Sequence, residues 1–454
     1  MSGALPQPVI SILGQDPPRI HRINANSFQQ SAIVTVKGWQ YAALYTSKHG
    51  KEDSNVCYIT VGRRKVHSTA NSEIESAEWE FISFGDYQQT IDDGHNTISL
   101  GVCTGDGTIQ MSFDHHCDRL RFRSSVAEVA TEPQKHVWST ALFGKMEHTL
   151  PGLEASEIME EVTYPRFVNI DKDMILSYRL GQAGLGSDVL YHYSHKTHNY
   201  EYLGTHLTGV GNSPYVNGID YKLGRIHLSW TYRRFIEYDG VFDKSSTVHK
   251  VQAGPNGPEN NYTLSYMYSD NSGQSWCNSA GKTISEGKSS TVLPTTEGIV
   301  VFDLPTQSGI LNQEAQAADA IGGFHVLNRE NLSGKEEWMV YTRNRLGPWK
   351  KTPIFGLHPM EAGARGSICA DMESNLYVIL PGNTDSSLTV LRAFKSQNHD
   401  HFEIVWRGDG FDGEPLIDHG RLDESSVLSI FTRTSKDENG NRKVIVLDFN
   451  LSQG

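Results

Sequence analysis

DGHNTISLGVCTGDGTIQMSFDHHCDRLRFRS, residues Asp93–Ser124, contains the unit that the whole chain repeats. A β-type run (TISLGV) leads into a tight polar turn at Asp106-Gly107. A second run (TIQMSFDHH) follows, then a third (RLRFRSS). Two β-runs around an Asp-Gly turn are a hairpin signal, because such turns need positive φ. The pattern recurs at Lys37-Gly38, Asp171-Lys172-Asp173, Leu223-Gly224, Gly322-Gly323, Glu373-Ser374-Asn375 and Asp423-Glu424. Successive turns lie about 50 to 70 residues apart, with one interval near 100 that holds an insertion from about Tyr232 to Ser308.

Each hairpin is followed by a third run, such as NVCYITVG, VLYHYSH or RKVIVLDF, and several units add a fourth, such as EWEFISF and FEIVW. Repeats bury one continuous core by stacking, so 454 residues read as a single domain, 1–454. The expected fold is all-β, a seven-bladed β-propeller of four-stranded antiparallel blades. The 42 Gly, 19 Tyr, 17 Phe and 8 Trp suit many short strands joined by turns. No segment shows sustained helical periodicity.

A net charge of −13 argues against nonspecific attraction to nucleic acid or anionic membranes. An anionic ligand would need a local basic patch. No apolar run is long enough to span a bilayer. The start, MSGALPQPVISILGQD, lacks the basic and apolar regions of a signal peptide, which suggests a cytoplasmic protein unless a leader has been removed. The five cysteines are scattered and contain no CxxC, so neither a disulfide framework nor a zinc ribbon is expected. His192, His195 and His198 form HxxHxxH, but on a strand entering a turn this spacing does not converge on a metal.

Ser269-Asp270-Asn271-Ser272-Gly273-Gln274-Ser275-Trp276 resembles the Asp-box, a structural hairpin turn in which the Asp caps backbone N–H groups and the Trp packs into the blade. It fixes the polarity of the blades. First strands then start on one face and second strands end there. That face collects His95, Tyr164, Tyr215, Gln313, Arg365 and Glu414 from first strands. Second strands add His115, Arg179, Arg233 or Arg234, Arg329 and Arg433, and Asn260 enters before a third strand. With the turn centred on Asp106, residue 97 faces 115 and residue 95 faces 117. His95 and His115 are then diagonal neighbours, and a slip of one would exchange His115 with His116. Tyr164 falls within about a residue of opposite Arg179.

Several Arg on one face are costly unless a carboxylate, sulfate or phosphate occupies it. Glycosidases need two flanking carboxylic acids, and this face offers Glu414 and little else. His, Tyr and Arg fit proton abstraction from C5 of a uronic acid, with Arg and Asn neutralising its carboxylate, followed by β-elimination across C4–C5.

These residues resemble the BNR-repeat propeller polysaccharide lyases, which include ulvan lyases and L-rhamnose-α-1,4-D-glucuronate lyases. The likeness runs over nearly the whole chain through DGHNT, SFDHHCDRLRFR, VTYPRF, LSYRLGQAGLG, GRIHLSWTYR, NNYTLSYMYSDNSGQSW, LNQEAQ, GARGS and GEPLID. It implies His95 and His115 as catalytic histidines, Tyr164 as the acid/base partner and Arg179 as the carboxylate clamp. It implies Arg233, Asn260, Gln313, Arg343 and Arg365 as substrate-binding residues, although the face count puts Arg343 on the far side. The layout is closer to the rhamnosyl-glucuronate lyases, which release rhamnose from gum arabic and other arabinogalactan chain ends. Asn260-Asn261-Tyr262 stands where relatives often carry Asn-His-Asp. The resemblance further implies no cofactor for the chemistry, a structural calcium near the channel, an extracellular monomer and a uronate-containing polysaccharide as partner. Competing readings are an ulvan lyase, a sialidase-like glycosidase and a non-catalytic sugar-binding propeller.

Overall fold

The computed structural model describes residues 3–47, 55–66, 78–239, 255–360 and 363–453. Part of the expected insertion, residues 240–254, lies outside them. Seven antiparallel sheets follow one another along the chain, and the fold is the seven-bladed β-propeller read from the sequence.

The described chain divides into two compact units. The first comprises residues 1–114, 121–147 and 364–454. It holds a sheet of Ile33–Val36, Trp39–Ser47, Cys57–Lys65 and Glu80–Ser83, and a three-stranded one of Ile98–Val102, Ile109–Phe113 and Phe122–Ser124. Residues 143 and 147 bridge to Ser125 and Phe122 where a fourth strand would run. The sixth sheet is Ser367–Ala370, Leu376–Pro381, Ser387–Ala393 and Glu403–Asp409. The seventh is Leu416–Ile417, Val427–Arg433, Arg442–Asn450 and, from the chain start, Val9–Asp16. The alternation in VISILGQD carried that last strand without being read as one. The unit's core packs Tyr41, Ala43 and Tyr45 against Ile59, Val61, Leu100 and Met111.

The second unit comprises residues 115–120 and 148–363. The third sheet is Val162–Ile170, Asp173–Gln182, Leu185–Ser194 and Asn199–Thr208. The fourth runs Asn212–Lys222, Arg225–Arg234, Asn261–Ser269, Ser275–Cys277 and Thr283–Glu286, with Val300–Phe302 also paired to Asn261–Ser269. The fifth is Ala315–Ala318, Phe324–Glu330, Glu337–Arg343 and Trp349–Ile354. Val216, Leu228, Trp230, Met267 and Trp276 share one core cluster.

The turns follow from their residues. Lys37-Gly38 and Leu223-Gly224 both have positive φ at each position, the two-residue geometry that matches strand twist. The seventh unit departs from the pattern. Asp423-Glu424 lies in a short α-helix, His419–Ser425, capped by the Asp418 carboxylate on Arg421 N–H and ended by Ser426 in the left-handed region. Seven residues are too few to show helical periodicity. The Asp-box is also corrected in detail. Asn271, not Asp270, accepts the Ser275 N–H (2.9 Å), and Ser269 Oγ accepts the Gly273 N–H (2.9 Å). Asp270 instead binds Arg225 through both oxygens (2.6 and 2.8 Å). Trp276 is buried as expected.

Candidate active site

The second unit builds its site from a bulge. Thr163 lies opposite Arg179 and Arg166 opposite Ser177, so Tyr164 and Pro165 together face Tyr178. Pro165 has no N–H to give the ladder, and Tyr164 takes a left-handed φ of 59°. A bulge re-aims the side chain it carries, and here the Tyr164 ring lies 4.9 Å from the Arg179 guanidinium. The Tyr164 and Tyr215 rings are 6.2 Å apart. The expected adjacency of Tyr164 and Arg179 is what the register produces.

Arg179 is 2% exposed. Its Nη1 donates to Tyr215 Oη (3.1 Å), and its Nη2 donates to Thr163 Oγ1 (3.1 Å) and Cys117 Sγ (3.5 Å). Its Nε meets no acceptor among the described residues. None of these partners is a carboxylate.

Arg233 repeats the arrangement on the next sheet. It lies 4.5 Å over the Tyr215 ring. Its nitrogens donate to Asn261 Oδ1 (2.9 Å), the Asn256 carbonyl (3.2 Å) and Asn312 Oδ1 (2.6 Å), again with no acid among the described residues. Asn261 and Asn312 reach Arg233 from a neighbouring strand and a turn, and nothing local in the sequence marks them. Asn260 is beside them, but its amide donates to the Pro255 carbonyl (2.5 Å). Gln313, at φ 56°, accepts from Asn312 Nδ2 (3.1 Å). Its own buried Nε2 finds no acceptor among the described residues.

The first unit holds His95 and Arg365. His95 Nδ1 sits 2.6 Å from Asp93 Oδ1, which keeps that nitrogen protonated and puts the basic lone pair on Nε2. The imidazole stacks on Phe28 at 5.1 Å, and the Arg365 guanidinium lies 4.6 Å over the same ring. Glu414 accepts from Ser27 N–H (2.6 Å) and Arg365 N–H (3.0 Å) and pairs with Arg22 (3.0 Å). Burial would raise its carboxyl, but Arg22, Arg365 and these N–H groups hold it below its usual range.

Two expectations need correction. The His95–His115 count assumed that residue 97 faces 115. The hairpin pairs Ile98 with Phe113 and Val102 with Ile109, one residue out, and its last backbone bond joins Asp114 N–H to the Thr97 carbonyl. Asp114 then turns left-handed (φ 62°), so strand alternation does not extend to His115. His115 is buried in the second unit and His95 belongs to the first. Arg343 lies opposite Phe324, at the Gly322-Gly323 turn and the far end of its sheet from Arg329. It donates to the carbonyls of Gly347 (3.2 Å) and Ser279, on the far side where the face count puts it. The fan of arginines is also narrower than read. Arg329 is bidentate with Glu314 (2.8 and 3.1 Å), and Arg433 pairs with Asp16 (2.8 Å).

In HxxHxxH, His192 and His195 each contact one oxygen of Asp173 (3.1 and 2.5 Å), a local latch. No disulfide joins any of the five cysteines. No step is routed through the implied calcium.

The family model of BNR repeat-containing family members matches residues 39–355. The chain belongs to this family. Two curated relatives, the long isoforms of ulvan lyase from Alteromonas sp. (strain LOR) and Pseudoalteromonas sp. (strain PLSV), are each 26% identical over 195 residues, 37% of this chain and 19% of theirs. The family member described here thus spans about a fifth of the length of the curated relatives it matches. Among solved structures, polysaccharide lyase Uly1 matches with a TM-score of 0.70 at 18% identity, over 97% of this chain and 94% of its own. A PL25 ulvan lyase bound to -[GlcA(1-4)Rha3S]- matches with a TM-score of 0.60 at 13% identity, over 92% of this chain and 93% of its own. At these identities the structural likenesses speak to the fold alone.

Proposed function

We propose that this family member is a polysaccharide lyase that cleaves the rhamnosyl-α-1,4-glucuronate linkage at arabinogalactan chain ends by β-elimination, releasing rhamnose and leaving an unsaturated uronate. The observation that carries this reading is the pair of buried arginines, Arg179 and Arg233, set around Tyr215 with no acid partner among the described residues. A buried cation without a counter-ion is costly unless a ligand anion completes it. A uronate carboxylate on Arg179 would lose its charge to the guanidinium and acidify C5–H. His115 takes the C5 proton, the electron pair forms the C4–C5 double bond, and Tyr164 protonates the departing C4 oxygen. Arg233, Asn260 and Gln313 bind the flanking sugar. Hydrolysis fits less well, because a glycosidase acid must hold its proton and Glu414 is kept ionised.

A second reading, cleavage of ulvan, is favoured by the ulvan lyases among the relatives. Ultraviolet absorbance, followed on gum arabic and ulvan in parallel with released sugars identified, separates the cases. A rise with rhamnose from gum arabic supports the first reading. A rise on ulvan alone keeps the elimination and changes the substrate. Sugar release without absorbance means hydrolysis. Silence on both leaves a sugar-binding propeller.

A further inference from the structure

Cys117 follows the two histidines directly, and its contacts tie that segment to the sheet of Arg179. Its N–H donates to Thr163 Oγ1 (2.9 Å), its thiol donates to the Gly181 carbonyl (3.4 Å), and its sulfur accepts from Arg179 Nη2 (3.5 Å). Thr163 Oγ1 is shared, since Arg179 Nη2 donates to it as well (3.1 Å). Further along, Asp118 and Val162 exchange backbone bonds (3.3 and 2.8 Å), and Leu120 N–H reaches the Met159 carbonyl (2.7 Å). Cys117 itself is left-handed, φ 55°. For a non-glycine residue that conformation is strained and persists only where surrounding contacts over-determine it.

We infer that Cys117 is a positioning residue: its thiol sets the Arg179 guanidinium and the His115-His116 dipeptide in one frame. A thiol suits the place, because it accepts from Arg179 and donates to Gly181 at once. Thr163 and Tyr215 hold the same guanidinium, but only Cys117 is also joined through the chain to the histidines. Loss of the thiol would therefore disturb both carboxylate binding and proton transfer.

The inference rests on the lyase reading, and the test keeps the two apart. Cys117→Ala and Cys117→Gly are compared with Cys117→Ser on a glucuronate-containing oligosaccharide, with binding of free glucuronate measured by calorimetry. Glycine suits the left-handed backbone, so Cys117→Gly removes the thiol while relieving strain and keeps the test open if Cys117→Ala does not fold. The expected result is a fall of about 10- to 100-fold in kcat/KM for Ala and Gly, divided between KM and kcat, with weaker glucuronate binding. Ser should recover most of the loss. Ala or Gly variants within twofold of the parent in both constants, while Arg179→Met is inactive, would overturn the positioning role alone. A fully active Arg179→Met would overturn the lyase reading instead.

Discussion

Arg166 and Arg179 sit on neighbouring strands of the third sheet, both buried, and among the described residues only Arg166 has a counter-ion. Arg166 donates to Asp188 Oδ2 (3.0 Å), whose other oxygen takes the Ser177 hydroxyl. His206 Nε2 lies 3.3 Å from Asp188 without hydrogen-bond geometry, and burial lowers that histidine to about 4. Asp188 is the residue directly opposite Arg179 in the ladder, yet its oxygens go to Arg166. A carboxylate is thus at hand, and Arg179 is left with a phenol, a hydroxyl, a thiol and two aromatic faces. One arginine has an acid partner among the described residues, and the other has only neutral ones.

The largest effect should come from breaking the member with only neutral partners. Arg179→Met is expected to lower kcat/KM on a glucuronate-containing oligosaccharide by on the order of 10³-fold. Its melting temperature should stay level or rise, because an uncompensated buried cation is replaced by an apolar chain of similar length. Steady-state kinetics with calorimetry reads both. A clear fall in melting temperature would place Arg179 in the same class as Arg166.

Arg166→Met should do the reverse. It strands Asp188 in the interior, a loss of roughly 3–5 kcal/mol by denaturant unfolding, and Arg166→Met with Asp188→Leu should recover most of it. Activity per folded molecule should change far less than in Arg179→Met. If the single and double variants are equally unstable, the pair is not what stabilises the sheet.

What the sequence made legible, and what it hid, divides along the same line. The turn residues and alternating runs gave the blades, since both signals are local. Tyr164 near Arg179 was legible because a hairpin's register can be counted from its turn. In the next hairpin the register is one residue out, the slip that exchanges His115 with His116, and Asp114 leaves the strand. Whether an arginine has an acid is a tertiary fact. Nothing around Arg329 or Arg433 announces Glu314 or Asp16, and nothing near Arg233 announces Asn261 and Asn312.

Arg233 offers a gentler test, because three neutral acceptors already hold it. Arg233→Ala should raise KM roughly tenfold with kcat little changed, the mark of binding felt equally in ground and transition states. A fall in kcat with KM unchanged would move Arg233 into the chemistry.

The smallest effect concerns the mirror case in the first unit, where one acid, Glu414, faces two arginines. Burial raises its pKa, but Arg22 and Arg365 outweigh this and the folded-state value lies below the ordinary 4.5. A carboxyl depressed on folding contributes stability that is fully present above its unfolded-state pKa and lost as pH falls through the folded one. Melting temperatures of the parent should therefore begin to lose this contribution below about pH 4.5, and Glu414→Gln should lack that portion of the acid dependence. Above that range the variant should be less stable by a constant margin, because Arg22 and Arg365 lose the Glu414 carboxylate and Arg22 keeps only Asp412 at 3.7 Å. Arg179→Met should leave the acid limb of the parent unchanged, since no carboxylate there depends on it. An altered acid limb in Arg179→Met, or an unaltered one in Glu414→Gln, would mean that the two arginine settings are not the opposites their contacts make them.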